Sequence, residues 1–185
     1  MNKNRMENKE LIKKYFLPCA MYYGLLVGLV LAVKFAFLPL GFRFSIFQLL
    51  FIVGTLLVPL VLCYTTKLFR DKFLGGKILW WRAYLFSYLT FFFASLIVAV
   101  AHLVYFQFID QGYIYGEYME QINLLRSENI TGDTDYIALL DSLTENLNQL
   151  NQLSAMELTV QFFLQNLTFS TFFSFIPAIF IKKNS

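Results

Sequence analysis

The chain has 185 residues, of which 58% are hydrophobic and 15% are charged, and its formal net charge is +3. This apolar share exceeds the roughly 45 to 50% of soluble domains and excludes an ordinary soluble globular protein. One histidine, and two cysteines without disulfide or metal-ligand spacing, give no pattern for a metal or cofactor site. We therefore expect a lipid bilayer as the main partner, with no nucleic acid, metal or cofactor.

Four long segments of the sequence contain no charged residue. They comprise 19 residues after Lys14, 23 after Arg43, 27 after Arg82 and 24 after Glu157. About 20 helical residues, at about 1.5 Å each, cross the roughly 30 Å hydrocarbon core of a bilayer. The pattern predicts an all-α polytopic protein with one membrane domain over residues 1–185. Its transmembrane helices are predicted at 15–37, 44–66, 83–108 and 158–181.

The first predicted span contains a pattern of small residues and one charged residue near its end. Gly24 and Gly28 form a GxxxG sequence, which allows a second helix to approach closely, so both are candidate helix-packing residues. Lys34 lies toward the predicted outer end, where its long side chain can reach the headgroups. The apolar run is longer than the roughly 7 to 15 residues of a secretory signal peptide, so we expect a retained anchor.

Basic residues concentrate on one side of the predicted spans. The tail 1–14, the loop 67–82 and the end 182–185 together contain twelve of the fifteen Lys and Arg residues. Nine of the twelve acidic residues lie in the segments of the opposite side. Because short loops rich in Lys and Arg remain in the cytoplasm, we predict that both termini are cytoplasmic.

The only histidine, His102, lies in the outer part of the third predicted span. It has neither a second metal ligand nor a carboxylate in the same span, so we expect a polar contact within the helix bundle. The predicted spans contain no deeply placed Asp or Glu, which argues against an ion-coupled pump.

Residues 109–157, between the third and fourth spans, show a helical period in their apolar positions. The first arm has spacings of 3, 4 and 3 from Tyr115 to Leu125, and the second has 4, 3, 4 and 3 from Tyr136 to Leu150. We predict a periplasmic antiparallel helical hairpin that turns near Gly132. Its seams either pack only against each other or also dock a second copy or another protein. The candidate association residues are Leu140, Leu143, Leu147 and Leu150.

The fourth predicted span is the most polar. Gln161, Gln165 and Thr168 share one helix face, and Asn166, Ser170 and Ser174 share a neighbouring face. Polar groups in lipid need partners, so we expect hydrogen bonds across the bundle, or alternatively a lined cavity or solute path. The candidate intramembrane polar contacts are Gln161, Gln165, Asn166 and His102. Pro59 and Pro177 can kink their helices.

Several segments, taken in order, resemble a bacterial four-span inner-membrane family known only as domain of unknown function 4199. The resemblance rests on Tyr23-Gly24-Leu25-Leu26-Val27-Gly28-Leu29, Phe69-Arg70-Asp71-Lys72 with Gly75-Gly76, Phe106 to Asp110, and the terminal Lys182-Lys183. It implies a four-helix protein of the inner membrane of Gram-negative bacteria. It supplies no activity and no catalytic residues.

No motif in the sequence indicates a reaction. There is no phosphate-binding loop, no Ser/His/Asp set and no pair of catalytic carboxylates, so we expect no enzyme. Our leading hypothesis is a structural or interaction component that uses its periplasmic hairpin to associate with itself or with a membrane-protein partner. The alternative is a small transporter or channel component that uses the polar face of the fourth span.

Overall fold

The computed structural model describes residues 2–128 and 134–182, with side chains at 14–127 and 134–182. The predicted turn at Gly132 and the residues 183–185 lie outside the described residues. Within them the chain is all-α and forms seven helices. These are α1 (Asn2–Arg43), α2 (Ser45–Phe73), α3 (Trp80–Phe108), α4 (Tyr113–Glu128), α5 (Thr134–Asn151), α6 (Ala155–Phe173) and α7 (Phe175–Ile181).

Four helical segments are long and apolar enough to cross a membrane. They are Lys14–Arg43 of α1, Ser45–Phe73, Trp80–Phe108, and Ala155–Ile181, which contains α6 and α7. The prediction of an all-α, four-span membrane protein is confirmed.

The second spanning helix, α2, continues beyond the uncharged stretch 44–66. Residues 67–73 were expected in an inner loop, yet they extend α2 to Phe73. The physical reason is that Phe69 is fully buried and Phe73 packs beside it, so the helix must hold both rings in place. The helix then ends at two glycines with positive φ, Gly75 and Gly76, and the Gly76 N–H donates to the Arg70 carbonyl at 3.1 Å.

The chain divides into two compact units. One contains residues 1–100 and 162–185, and the other contains residues 101–161.

Neighbouring spans in the first unit alternate in direction. Lys34 of α1 meets Thr55 of α2, and Gly41 lies against Gln48, so these two helices are antiparallel. Their connection is the single extended residue Phe44. α1 and α3 are parallel, since Gly24 and Gly28 lie successively against residues 90–94 and 94–97. α3 opposes α6 and α7 through the ring pairs Phe92–Phe163 and Tyr84–Phe175.

One buried cluster joins all four spans. Val58 and Leu62 of α2 pack with Phe91 of α3, and Leu31 of α1 and Phe173 of α6 pack against them. In a bilayer, where lipid is as apolar as leucine, such interdigitated contacts supply much of the force that holds helices together. This cluster therefore fixes the arrangement of the bundle.

The fourth span breaks at Ser174. Pro177 has no amide proton and its ring clashes with the carbonyl four residues earlier, at Phe173, where α6 ends. The chain resumes as α7, whose Pro177 and Ala178 are buried. Pro59 acts differently, because α2 continues through it without interruption.

Acidic side chains cap the starts of α4 and α6. Asp110 accepts the backbone N–H groups of Gly112 at 3.2 Å and Ile114 at 3.1 Å, at the start of α4. Ser154 and Glu157 form a reciprocal capping box before α6, with the Ser154 N–H donating to Glu157 Oε2 at 2.8 Å. Both caps satisfy amide groups that a helix start leaves without partners.

Candidate functional site

Gly24 and Gly28 lie at the closest approach of two helices, α1 and α3. A Cβ atom at Gly24 would lie 2.5 Å from Phe93 Cβ, and one at Gly28 would lie 2.8 Å from the Ala94 carbonyl oxygen. Real Cβ atoms do not tolerate such distances, so any larger residue must push the helices apart. The structure thus places both candidate packing residues in direct contact with α3.

An aromatic cluster fills one end of the bundle. It includes Phe16 and Tyr23 of α1, Phe69 and Phe73 of α2, and Phe86 of α3. The rings of Phe69 and Phe86 stack at 4.1 Å with an interplanar angle of 9°. Phe16 meets both of them edge-on, in an arrangement that aromatic quadrupoles favour.

Arg70 ties the last helix to this end of the bundle. One guanidinium nitrogen, Nη1, donates to the Ile181 carbonyl at 3.0 Å, and Nε donates to Asp71 at 2.7 Å. A cation at a helix C-terminus also interacts favourably with the helix dipole. Arg70 therefore satisfies a carbonyl that the end of α7 would otherwise leave without an intrahelical partner.

Buried hydroxyl groups lie between α2 and α3. Thr66 and Ser87 are fully buried, and their side-chain oxygens are 2.7 Å apart. Because Ser87 donates its proton to the Ala83 carbonyl, Thr66 is left as the donor to Ser87. Sequence reasoning did not single out this pair, although small hydroxyl residues are common where membrane helices touch.

Lys34 points into the groove between α1 and α2. Its ammonium donates to Thr55 Oγ1 at 2.9 Å and lies 4.5 Å from the centre of the Phe51 ring. Its side-chain methylenes cross Gly54, where an added Cβ would lie 3.0 Å from Lys34 Cγ. Thr55 gives its own proton to the Phe51 carbonyl, so its oxygen remains available as an acceptor. The side chain is therefore held by α2 and does not simply extend toward headgroups.

The two polar faces of the fourth span have different surroundings. Ser170 and Ser174 are buried and Asn166 is half-buried, whereas Gln161, Gln165 and Thr168 are exposed. Within the described part of the chain, neither glutamine side chain makes a hydrogen bond. The expected bonds from these glutamines across the bundle are therefore not formed in a single chain, because that helix face is directed away from its neighbours.

His102 is buried, at 6% exposure, and its ring centre lies 6.1 Å from that of Phe106. In the described parts of the chain, no group of three His, Cys, Asp or Glu side chains is arranged to hold a metal ion. The structure accordingly places the imidazole against an aromatic ring one helical turn away.

The helices α4 and α5 run antiparallel. Tyr115 donates to Asn148 at 2.7 Å, and Arg126 donates to Asp141 at 2.8 Å. Residues later in α4 therefore contact residues earlier in α5. Ile122 is buried, and burial raises the pKa of Tyr118 above its ordinary value. The apolar positions predicted for the first helix of the hairpin, α4, are thus partly buried.

The four candidate leucines of α5 differ in exposure. Leu140 is buried at 1%, Leu147 and Leu150 are half-buried, and Leu143 is 43% exposed. Leu139, one turn before Leu143, is 55% exposed. Leu140 is consequently unavailable to a second chain, whereas positions 139 and 143 present an apolar surface. Sequence spacing missed Leu139 because it falls outside the heptad seam.

The comparisons with known proteins place the chain in a family. No curated protein and no solved structure matches it. A family model described as "Protein of unknown function (DUF4199)" matches residues 22–183, which is most of the sequence. The matched region includes all the spans except the start of the first, in agreement with the resemblance noted above. The chain therefore belongs to the DUF4199 family of proteins of unknown function.

Proposed function

We propose that the protein is a non-enzymatic component of the bacterial inner membrane that binds another protein chain through its α4–α5 hairpin. In this proposal both termini are cytoplasmic and the hairpin is periplasmic. The partner is either a second copy or a different membrane protein. The concentration of Lys and Arg in residues 1–14, 67–82 and 182–185 supports this orientation, since these side chains resist translocation.

The observation that carries the proposal is the exposure of leucines on both helices of the hairpin. Leu124 and Leu125 of α4 are 55% and 44% exposed, and Leu139 and Leu143 of α5 are 55% and 43% exposed. Because the hairpin lies outside the predicted spans, the proposal places these side chains in water. Apolar side chains grouped on an aqueous surface are a common sign of a protein contact.

Among the described residues, the side-chain bonds between α4 and α5 are exposed to water, which supports the same proposal. The ion pair between Arg126 and Asp141 is exposed, and such pairs contribute about 0.2 to 1 kcal/mol. Two short helices with a two-heptad seam are only marginally stable alone in water. A partner that buries Leu139 and Leu143 would supply the missing apolar contact.

A photoreactive residue placed in the full-length protein in living cells tests this proposal. We expect position 143 to capture a protein chain, and mass spectrometry of the product to identify it as a second copy or another protein. Position 149 is the matched control, because Gln149 is exposed on the same helix but on a different face. Leu139→Asn with Leu143→Asn should abolish capture from a photoreactive residue placed at position 125. Capture at 149 equal to that at 143, or only intramolecular products at 143, would contradict the proposal.

The solute-path alternative has no specific structural observation in its favour. The glutamines on which it depends, Gln161 and Gln165, are exposed on the surface of a single chain. It remains a prediction from the sequence.

A further inference from the structure

The exposed polar face of α6 lies within the fourth membrane span. Gln165 follows Ala155, the start of that span, by 10 residues, which correspond to about 15 Å of continuous helix. This depth lies within the roughly 30 Å hydrocarbon core. An exposed side chain at this level faces lipid tails unless another helix covers it.

Gln165 needs a hydrogen-bond partner on this face more than Thr168 does. Thr168 is also exposed, but its hydroxyl donates to the Leu164 carbonyl at 3.1 Å and is satisfied within the helix. The Gln165 amide makes no hydrogen bond to the described residues, and lipid tails offer it none. An amide group left without a partner in hydrocarbon carries a large free-energy cost.

The chemistry of this face favours a second copy of the same chain as the covering helix. A primary amide contains both a donor and an acceptor, so Gln165 can pair with Gln165 of the partner subunit across a two-fold axis. A charged residue at that position would instead repel its own copy. Between residues 161 and 172, the exposed residues of this face are uncharged. They are Gln161, Leu164, Gln165, Thr168, Phe169 and Phe172.

We propose that α6 forms the interface of a homodimer within the membrane, centred on Gln165. The two copies are related by a two-fold axis along the membrane normal, the commonest symmetry of protein dimers. The α6 helices then run parallel, and Thr168 and Leu164 pack beside the central amide pair. Asn166 and Ser170 remain on the inner face of each bundle.

This interface is distinct from the exposed leucines through which the α4–α5 hairpin is proposed to bind another chain. It uses a membrane-embedded amide, whereas the hairpin surface uses exposed leucines. Either can be lost without the other, because Gln165→Leu leaves Leu139 and Leu143 unchanged.

The first experiment measures dimerisation of the full-length protein in lipid vesicles by energy transfer over a dilution series. Gln165→Leu should raise the dimer dissociation constant about tenfold, as expected for loss of interhelical hydrogen bonds. Gln48→Leu is the matched control, since Gln48 is an exposed glutamine on α2, and it should leave the constant unchanged. An unchanged constant in the Gln165→Leu protein, or a monomeric wild-type protein, would overturn the proposal.

The second experiment locates the interface by disulfide formation. Cys19 and Cys63 are first replaced by Ser, and single cysteines are then placed along residues 161–172 in native membranes. We expect self-crosslinking to peak at positions 161, 165, 168 and 172 and to be weak at 163 and 170. A flat profile, or crosslinks from position 165 exclusively to a different protein, would contradict a homodimer on this face.

Discussion

The aromatic end of the bundle and the α4–α5 pair are held together by different kinds of interaction. In the first, Phe69 and Phe86 are completely buried and stacked, and Arg70 bonds to the end of α7. In the second, the interhelical bonds of Tyr115 and Arg126 are exposed and neighbouring leucines remain uncovered. The bundle end is therefore packed within one chain, whereas the surface of the helix pair is suited to contact with another chain.

The largest expected effect is at the aromatic cluster. Phe86→Ala should lower the free energy of unfolding by about 3 kcal/mol or more, because it removes a fully buried ring and leaves a cavity. Unfolding in a detergent titration measures this change. Phe180→Ala is the control, since Phe180 is 75% exposed and should contribute much less. Equal losses in the two variants would contradict the assigned burial.

The next effect concerns the close approach of α1 and α3. Gly24→Ala should destabilise the protein by about 1 to 3 kcal/mol, because the added Cβ would meet Phe93 Cβ at 2.5 Å. Gly116→Ala on α4 should have the opposite sign and stabilise by up to about 1 kcal/mol, since nothing lies within 4 Å of an added Cβ. Thermal unfolding of both variants in one detergent measures these stability changes. Stability changes of the same sign would argue against the close packing at Gly24.

A smaller effect is expected at the Lys34 groove. Thr55→Val removes the acceptor of the Lys34 ammonium and should cost about 1 to 2 kcal/mol. Adding Lys34→Met should recover part of that loss, because the charge that lacks its acceptor is also removed. A double-mutant cycle on the unfolding free energy measures the coupling. Strict additivity would show that the two side chains do not interact in the membrane.

The smallest effect is expected in the α4–α5 pair. Arg126→Ala should reduce stability by about 0.5 kcal/mol, since the ion pair with Asp141 is exposed to water and screened by salt. Hydrogen exchange of the α4 and α5 amides at low and high salt measures the change. A loss that persists undiminished at 1 M salt would show that the pair does more than an ordinary surface contact.

The sequence predicted the four spans well because charge-free length is a direct requirement of the bilayer. It placed the end of α2 too early, at residue 66, because Lys67 and Arg70 suggested a loop while the buried face of Phe69 and Phe73 keeps the chain helical. The proline at 177 indicated a kink, and the helix does break at Ser174.

The site was less predictable from the sequence. Helical spacing identified the two polar faces of the fourth span, but spacing does not say which face meets a neighbouring helix. Gln165 faces outward and Ser170 inward for reasons of tertiary packing. The Lys34 groove depends likewise on Thr55 and Gly54, 21 and 20 residues further along the chain, and no local pattern links them.

The proposed orientation of the chain determines which surface the hairpin faces, and labelling of single cysteines tests it most directly. In a protein without Cys19 and Cys63, cysteines are introduced at positions 143 and 77 and exposed to a thiol reagent that cannot cross the inner membrane. We predict labelling at position 143 in intact cells and labelling at position 77 only after the membrane is disrupted. Labelling at 77 in intact cells, with none at 143, would contradict the proposed orientation and the periplasmic role of the hairpin.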